Sequence, residues 1–453
     1  MDKDSKVKGR VASIDDRKNT FHEVELGYTD EEALMEANRC LQCNNPRCVK
    51  GCPVNIAIPS FIAAIKEKDI PKAYEIIRES SSLPSVCGRV CPQEKQCESM
   101  CIKGLKGEAI SIGALERYVA DYAMNNQINV TSKVAKNNKK VAIVGSGPAG
   151  ISCAGELASK GYSVTMYEVL QKAGGVLTYG IPEFRLPKRI VQNEIDNLKK
   201  MGVEILCDVP IGNAITLEEL SNEYDAVFLG TGAGLPKLMN IPGEDANEVF
   251  SANEILTRIN LMGAYQENSK TPIKKGKIAY IIGGGNVAMD AVRSLKRLGV
   301  EAHLMYRRGI DELPARKMEV EHAKEEGIIF DLLQNPTKII TDENNHVTGM
   351  EVINMELGKA AEDGRRSVSE VVGSEHIVKC DMVIEALGTS PNHEAIKESN
   401  IKLTDRGLIY VEDTKTSLSN VFAGGDAVTG AATVILAMEA GKEAAHKIID
   451  YLQ

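Results

Sequence analysis

Two glycine-rich turns constrain what this chain can fold into more than any other feature of it. Val141-Ala142-Ile143-Val144 runs into Gly145-Ser146-Gly147-Pro148-Ala149-Gly150 and then a helical pattern. Far downstream, Ile278-Ala279-Tyr280-Ile281-Ile282 runs into Gly283-Gly284-Gly285-Asn286-Val287-Ala288 and a second helical pattern. Strand, GxGxxG-type turn and helix, in that order, open a dinucleotide-binding βαβ unit. The first glycine permits the tight turn, the second lets backbone approach a pyrophosphate, and the third small residue lets helix and strand pack closely. The helix N-terminus then meets the phosphates with unsatisfied N–H groups. The candidate nucleotide contacts are Gly145, Gly147, Pro148, Ala149 and Gly150 at the first turn. At the second they are Gly283, Gly285, Asn286, Val287 and Ala288.

The two units differ where their second strands end. The run from Ser163 closes on Glu168, about 20 residues past the first turn, where an acidic residue accepts hydrogen bonds from ribose hydroxyls. The run from Glu301 to Tyr306 ends instead in Arg307-Arg308, at a nearly equal offset. A carboxylate repels a 2′-phosphate, whereas a guanidinium binds it bidentately. The second site is therefore expected to prefer NADPH over NADH, with Arg316 as a further candidate; a solvated basic face is the plainer alternative. Two nucleotide sites imply two cofactors, and FAD at the first gives the hydride a receiver. Near the C-terminus, Val421-Phe422-Ala423-Gly424-Gly425-Asp426 reads as a strand and tight turn, with Asp426 able to hold a ribityl hydroxyl. The last helix, expected over 431–451, would aim its N-terminus at the isoalloxazine carbonyl.

Eight of the 11 cysteines lie between Cys40 and Cys101. They form Cys40-x2-Cys43-x4-Cys48-x3-Cys52-Pro53 and Cys87-x3-Cys91-Pro92-x4-Cys97-x3-Cys101. Thiolates suit iron–sulfur clusters and zinc. Zinc sites usually use two C-x2-C-type pairs, and only one C-x2-C occurs here. A Cys-Pro closing such a run is a bacterial ferredoxin habit, in which the last Cys serves the other cluster. Two [4Fe–4S] clusters are expected, with zinc sites or inert thiols as the alternative. The remaining Cys153, Cys207 and Cys380 read as core residues.

Other functions are disfavoured. A net charge of -9 with no long basic block argues against a nucleic-acid binder; pairs such as Lys139-Lys140 and Lys274-Lys275 read as solvated surface. No apolar run reaches the roughly 18 residues of a membrane span. The charged start Met1-Asp2-Lys3-Asp4 lacks a signal-peptide core, so a cytoplasmic protein is expected.

Up to about residue 125 the pattern is helical. Thr29-Asp30-Glu31-Glu32 resembles a capping box. Pro59 and Pro71 suit first turns of helices over 59–67 and 71–79. A further helix is expected over 111–124, with Leu115, Tyr118, Val119 and Tyr122 on one face. Residues 125–138 read as a linker, and 358–374 as a surface hairpin or loop. The expected division is a helical Fe–S domain with linker over 1–138, an FAD-binding domain over 139–260 and 387–453, and an NADPH-binding domain over 261–386.

These motifs occur in order with Tyr179-Gly-Ile-Pro-Glu-Phe-Arg185-Leu-Pro between them. Together they make the whole chain resemble the small (beta) subunit of NADPH-dependent glutamate synthase. It is similarly close to the large subunit of the electron-bifurcating NADH-dependent reduced ferredoxin:NADP oxidoreductase. The N-terminal half of dihydropyrimidine dehydrogenase shares the layout. The resemblance implies an α/β fold, a helical N-terminal two-[4Fe–4S] domain followed by glutathione-reductase-like FAD and NAD(P)H Rossmann-type domains. It implies one cluster on Cys40, Cys43, Cys48 and Cys101, and another on Cys52, Cys91, Cys97 and Glu116, with Cys87 nearby. All-cysteine ligation through Cys87 is the competing arithmetic. It also implies cofactor contacts from Gly175, Arg185, Gly232, Gly388, Gly425 and Thr433. Electrons would pass from NADPH through FAD and the clusters to a second redox subunit, without a general acid or base. That subunit would be the glutamate synthase large subunit, or a ferredoxin- or NADH-linked flavin Fe–S subunit. The chain shows no N-terminal Cys for glutamine hydrolysis, so any glutamate synthesis is expected to need another subunit.

Overall fold

From residue 140 onward, apolar strands separated by helical segments fold into two five-stranded parallel sheets. The computed structural model describes residues 5–128, 134–273, 276–360 and 366–453. The first sheet has the order Val421–Ala423, Ala226–Leu229, Lys140–Val144, Ser163–Tyr167, Glu204–Leu206. The second has the order Ile329–Leu332, Glu301–Tyr306, Ile278–Ile282, Met382–Glu385, Val249–Ser251. Their central strands are largely apolar because both faces of each sheet are covered; on the second sheet, helices cover one face and residues of 334–341 and 347–360 the other. Lys140–Val144 is buried beyond its first residue, and Met382–Glu385 is buried along its length. In both sheets the chain leaves the middle strand in one direction and later returns on its other side. The C-terminal end of that strand is the switch point where open α/β sheets bind ligands. Both glycine-rich turns lie there. The chain crosses between the two units through Leu235–Pro236 and back through Thr389–Ser390, which pair antiparallel.

The antiparallel strands Gln334–Thr341, Val347–Ala360, Arg366–Glu370 and His376–Lys379 form a further sheet. The stretch expected as a hairpin or loop contributes the pairing of Val347–Ala360 with Arg366–Glu370. Its residues 361–365, residues 129–133 of the expected linker, the Lys274-Lys275 pair and Met1 to Asp4 lie outside the described residues.

The N-terminal helices follow their local chemistry. Thr29 and Glu32 form the reciprocal capping box of Asp30–Asn38, and Pro59 and Pro71 sit in the first turns of Ile58–Lys66 and Ile70–Arg78. The helix Ile112–Asn125 buries Leu115 and Val119. Tyr118 and Tyr122 stay half-buried, and the Tyr118 hydroxyl donates to Asp30 at 2.9 Å. Cys153 and Cys380 lie in the core, but Cys207 is only half-buried at a strand end, a correction to its reading as a core residue. Among the described residues no helix is long and apolar enough to cross a membrane.

The last helix, Val434–Leu452, begins three residues later than the expected start at 431. Gly430 has a left-handed φ of 79°, and the Thr433 side chain caps the helix by accepting from the Leu436 N–H at 3.4 Å. This helix packs on Pro148–Ser159, the helix after the first glycine turn, through Gly441. A Cβ there would lie 2.1 Å from the Ala149 carbonyl oxygen. Gly441→Ala is accordingly expected to destabilise the protein by about 1–3 kcal/mol through overpacking. A lowered denaturant midpoint with unchanged slope would show it.

Candidate redox cofactor sites

The glycines of the two turns divide by what surrounds them. A Cβ on Gly145 would lie 2.4 Å from the Gly230 carbonyl oxygen, and one on Gly150 only 2.0 Å from that of Gly145. On Gly283 it would lie 2.4 Å from the Ala386 carbonyl oxygen. Both Gly145 and Gly283 also have positive φ, 99° and 147°. These positions need glycine for the protein's own packing. Gly147 and Gly285 are different: a Cβ on either would meet nothing within 4 Å. Each is the N-cap of the following helix, Pro148–Ser159 or Asn286–Arg297, and neither helix start carries a side-chain cap. An open cradle before a run of unsatisfied N–H groups is what an anionic pyrophosphate requires.

Around the first cradle, Glu168 is buried and folds back on the turn. It accepts from the Ser146 backbone N–H at 3.0 Å, from the Ser146 hydroxyl, and from the Leu170 N–H at 2.9 Å. The Ser146 hydroxyl in turn accepts from the Gly174 N–H at 2.9 Å. That draws in Gly175, where a Cβ would lie 2.8 Å from the Gly147 Cα. Gly425 closes the other side, with φ of 69° and a Cβ position 2.9 Å from that of Ala149. Asp426 follows it. Burial pushes its carboxyl up to about 6, and it accepts from the Ala432 N–H at 3.2 Å. Pro148 and Ala149 are buried at the helix start, and Thr433 is half-buried at the next helix start. Gly232 and Gly388 follow strand ends, both with positive φ and open space where a Cβ would be.

At the second cradle, Ala288 is buried and Val287 is 40% exposed. The Asn286 side chain accepts from the Arg316 N–H at 3.0 Å. Arg307 is exposed just beyond Glu301–Tyr306, whose Met305 carbonyl receives the Gly283 N–H at 3.0 Å. Arg308 is half-buried and donates to the Arg366 carbonyl at 3.0 Å. Arg316 does not join them. Its guanidinium is buried against the helical domain, donating to the Arg89 carbonyl and the Gln93 side chain, both at 3.0 Å.

The cysteines separate into two groups. Cys40, Cys43, Cys48 and Cys101 line one cavity, together with Ile58, Ile62 and Ile110. All four are half-buried. Burial, with Cys101 and Cys40 nearby, pushes the Cys48 thiol up to about 11. Cys52, Cys91, Cys97 and Glu116 are all buried. Burial pushes the Cys52 thiol up to about 12, and the charges of Glu116 and Cys91 add to this. Cys97 is raised by burial, then by Glu98, Glu116, Cys52 and Cys91. Glu116 Oε1 has no hydrogen-bond partner, and burial alone pushes that carboxyl up to about 8. An orphaned buried oxygen among buried thiols is costly in the bare protein and fits a cationic iron that would ligate it. Cys87 lies in the same region, with its Sγ 3.4 Å from Met438 Sδ on the C-terminal helix. Among the described residues no three His, Cys, Asp or Glu side chains converge as for a single metal ion. A four-iron cluster spreads its ligands over four metal atoms.

Comparison with known proteins bears on both halves. The model of dihydropyrimidine dehydrogenase domain II, 4Fe-4S cluster, matches residues 17–128. That of pyridine nucleotide-disulphide oxidoreductases matches residues 139–441. The glutamate synthase [NADPH] small chain of Escherichia coli (strain K12) is 36% identical over 449 residues, covering 96% of this chain and 95% of that protein. This chain belongs to the glutamate synthase small-chain family. Members extend beyond that enzyme: the NADPH-Fe(3+) oxidoreductase subunit beta of Geobacter sulfurreducens is 40% identical over 463 residues, covering 96% of this chain and 68% of that protein. Mycobacterium tuberculosis FprA in complex with NADPH shares the fold of the nucleotide-binding part, with a TM-score of 0.58 at 19% identity over 69% of this chain and 84% of that one. As in its family, this chain is an oxidoreductase built for FAD, NADPH and four-iron clusters.

One residue of the small-chain pattern is occupied differently from expectation. Arg185 is expected to serve a cofactor, and in the structure its guanidinium pairs with carboxylates. It pairs with Asp290 at 2.6 Å and Glu319 at 2.9 Å, all three buried. The neighbouring Phe184 ring carries Arg293 and Arg297 over it at 4.8 and 3.8 Å. The loop thus anchors the first nucleotide unit to the helix after the second turn. Arg185→Ala leaves Asp290 buried without its cation and is expected to cost about 3–5 kcal/mol in denaturant unfolding. Burial already holds the Asp290 carboxyl up at about 6, above its unfolded value. Without the Arg185 charge that carboxyl rises further in the variant, whose folded state then binds the extra proton, so the loss shrinks as pH falls toward about 6 and levels off below it.

Sequence reasoning missed Ser146 and Lys188. Ser146 was hidden as a spacer inside the glycine turn, although its hydroxyl ties Glu168 to Gly174. Lys188 reads as a surface charge, yet its ammonium donates to the carbonyls of Leu177 at 3.0 Å, Leu186 at 3.1 Å and Ile181. It fixes the loop that carries Phe184 and Arg185.

Proposed function

We propose that this chain is the electron-input subunit of a multi-subunit oxidoreductase that oxidises NADPH, and that the glutamate synthase large subunit is its partner. The carrying observation is the pairing of two open pyrophosphate cradles, one backed by Glu168 and the other by Arg307 and Arg308, behind two thiol groups. FAD held at the first cradle would supply both two-electron exchange with a nicotinamide and one-electron exchange with four-iron clusters. The chain's own work is placement. Gly145, Gly147, Gly150, Gly175, Glu168, Gly425 and Asp426 hold FAD; Gly283, Gly285, Asn286, Ala288, Arg307 and Arg308 hold NADPH. Cys40, Cys43, Cys48 and Cys101 ligate one cluster, and Cys52, Cys91, Cys97 and Glu116 the other. No side chain moves a proton in this scheme. Thiolate-rich sites of this kind belong in a reducing compartment, which supports a cytoplasmic location.

The near end-to-end match to the E. coli small chain supports glutamate synthase as the assembly. Anaerobic isolation of the chain with its native partner tests it. A large glutaminase-bearing partner, with NADPH- and glutamine-dependent glutamate formation, is expected. A smaller flavin and iron–sulfur partner that couples NADH to ferredoxin would replace this reading with the bifurcating one.

A further inference from the structure

Arg316 belongs to the nucleotide-binding part by sequence and to the helical domain by contact. Its backbone sits on the second glycine turn: the Ala315 N–H donates to the Gly284 carbonyl at 3.2 Å, and the Arg316 N–H to Asn286 Oδ1 at 3.0 Å. Its side chain, with the residue 6% exposed, leaves in the opposite direction. It donates to the Arg89 carbonyl and to Gln93 Oε1, both at 3.0 Å, two residues either side of Cys91. Gln93 continues the path, since its Nε2 donates to the Cys87 carbonyl at 3.1 Å and the Gly88 carbonyl at 3.4 Å. Gln93 also packs so tightly on the helix bearing Glu116 that a Cβ on Gly113 would lie 2.3 Å from its side-chain nitrogen. Glu94 is the partly exposed counter-charge, accepting from the guanidinium Nε and Nη2, each at a long 3.5 Å, with its side chain 32% exposed. A nearly desolvated cation is thus held between Cys91 and the start of the NADPH cradle.

We infer that Arg316 is a positioning residue for electron transfer, fixing the cradle against the cysteine loop and raising the reduction potential of the cluster on Cys52, Cys91, Cys97 and Glu116. Cluster potentials respond to net charge and to solvent exposure. A fixed positive charge in a poorly hydrated site favours the state with one more electron. This inference rests on the ligand set proposed above and adds a role that neither the glycine turn nor the cysteines supply.

The test is an EPR-monitored redox titration of the holoprotein and its Arg316→Gln and Arg316→Lys variants, with iron content measured on the same samples. In Arg316→Gln the reduced-to-oxidised ratio of this cluster at a fixed potential is expected to fall about tenfold, which is about 59 mV for one electron. Arg316→Lys keeps the charge and should recover most of the shift. The KM for NADPH should stay within about threefold, because the backbone bonds to Gly284 and Asn286 survive in both variants. An unchanged potential with a raised KM for NADPH but not NADH would overturn the inference and return Arg316 to 2′-phosphate binding. Equal shifts in Gln and Lys variants would also overturn it, leaving only packing. If Glu116→Ala keeps full iron, the ligand assignment fails instead, whatever Arg316 does.

Discussion

Glu116→Ala protein, reconstituted and purified without oxygen, is expected to hold roughly half the wild-type iron and sulfide, one four-iron cluster in place of two. Cys91→Ser should give the same half loss, and Cys48→Ser should remove the other cluster. The reasoning starts from the bare carboxyl. Glu116 is buried, among the described residues one of its oxygens has no partner, and burial is the cause of its upward shift. Such a group is tolerated where a metal ion takes the oxygen and the charge together. Cys52, Cys91 and Cys97 share its electrostatic surroundings, as does Cys87 beside Cys91, whereas Cys40 and Cys48 respond to Cys101, so iron content has to separate Glu116 from Cys87. Cys87→Ser is the counterpart variant, expected to retain all its iron. Loss of iron in Cys87→Ser with full iron in Glu116→Ala would restore the all-cysteine arrangement.

The second large effect falls on nucleotide choice. Arg307→Ala/Arg308→Ala should lower kcat/KM for NADPH by about two to four orders of magnitude and leave NADH within a few-fold. Each guanidinium bond to a phosphate is worth about 1.5–3 kcal/mol. NADH has no 2′-phosphate to lose them. Arg307 is exposed, and among the described residues the Arg308 guanidinium donates to a backbone carbonyl and pairs with no carboxylate. Steady-state rates with ferricyanide as acceptor separate this effect from anything at the clusters. An unchanged preference in the double variant would remove the pair from the site.

What the sequence made legible was local chemistry. The capping box at Thr29, the prolines at the first turns of two helices and both glycine turns depend on neighbours within a few residues, and each stands where its pattern puts it. Glu168 lies against the first glycine turn, where its offset puts it, because the βαβ unit fixes how far along the chain the second strand must end. What spacing could not show is long-range. Arg185 and Arg316 look alike to a motif search, as cations near a nucleotide turn. Their partners Asp290, Glu319 and Gln93 come from other parts of the chain, and no spacing announces them. Lys188 is similar, since three carbonyls that accept from one ammonium are invisible in side-chain identity. The C-terminal helix is expected from 431 and starts at Val434, because a glycine with positive φ and a threonine cap decide the boundary.

The most direct test of the central claim is anaerobic mixing of the purified holoprotein with NADPH or NADH, following flavin absorbance and cluster EPR together. NADPH should bleach the flavin and produce reduced-cluster signals, while NADH at the same concentration does so far more slowly. A flavin that stays oxidised with NADPH, or that bleaches while both clusters remain oxidised, would contradict the account.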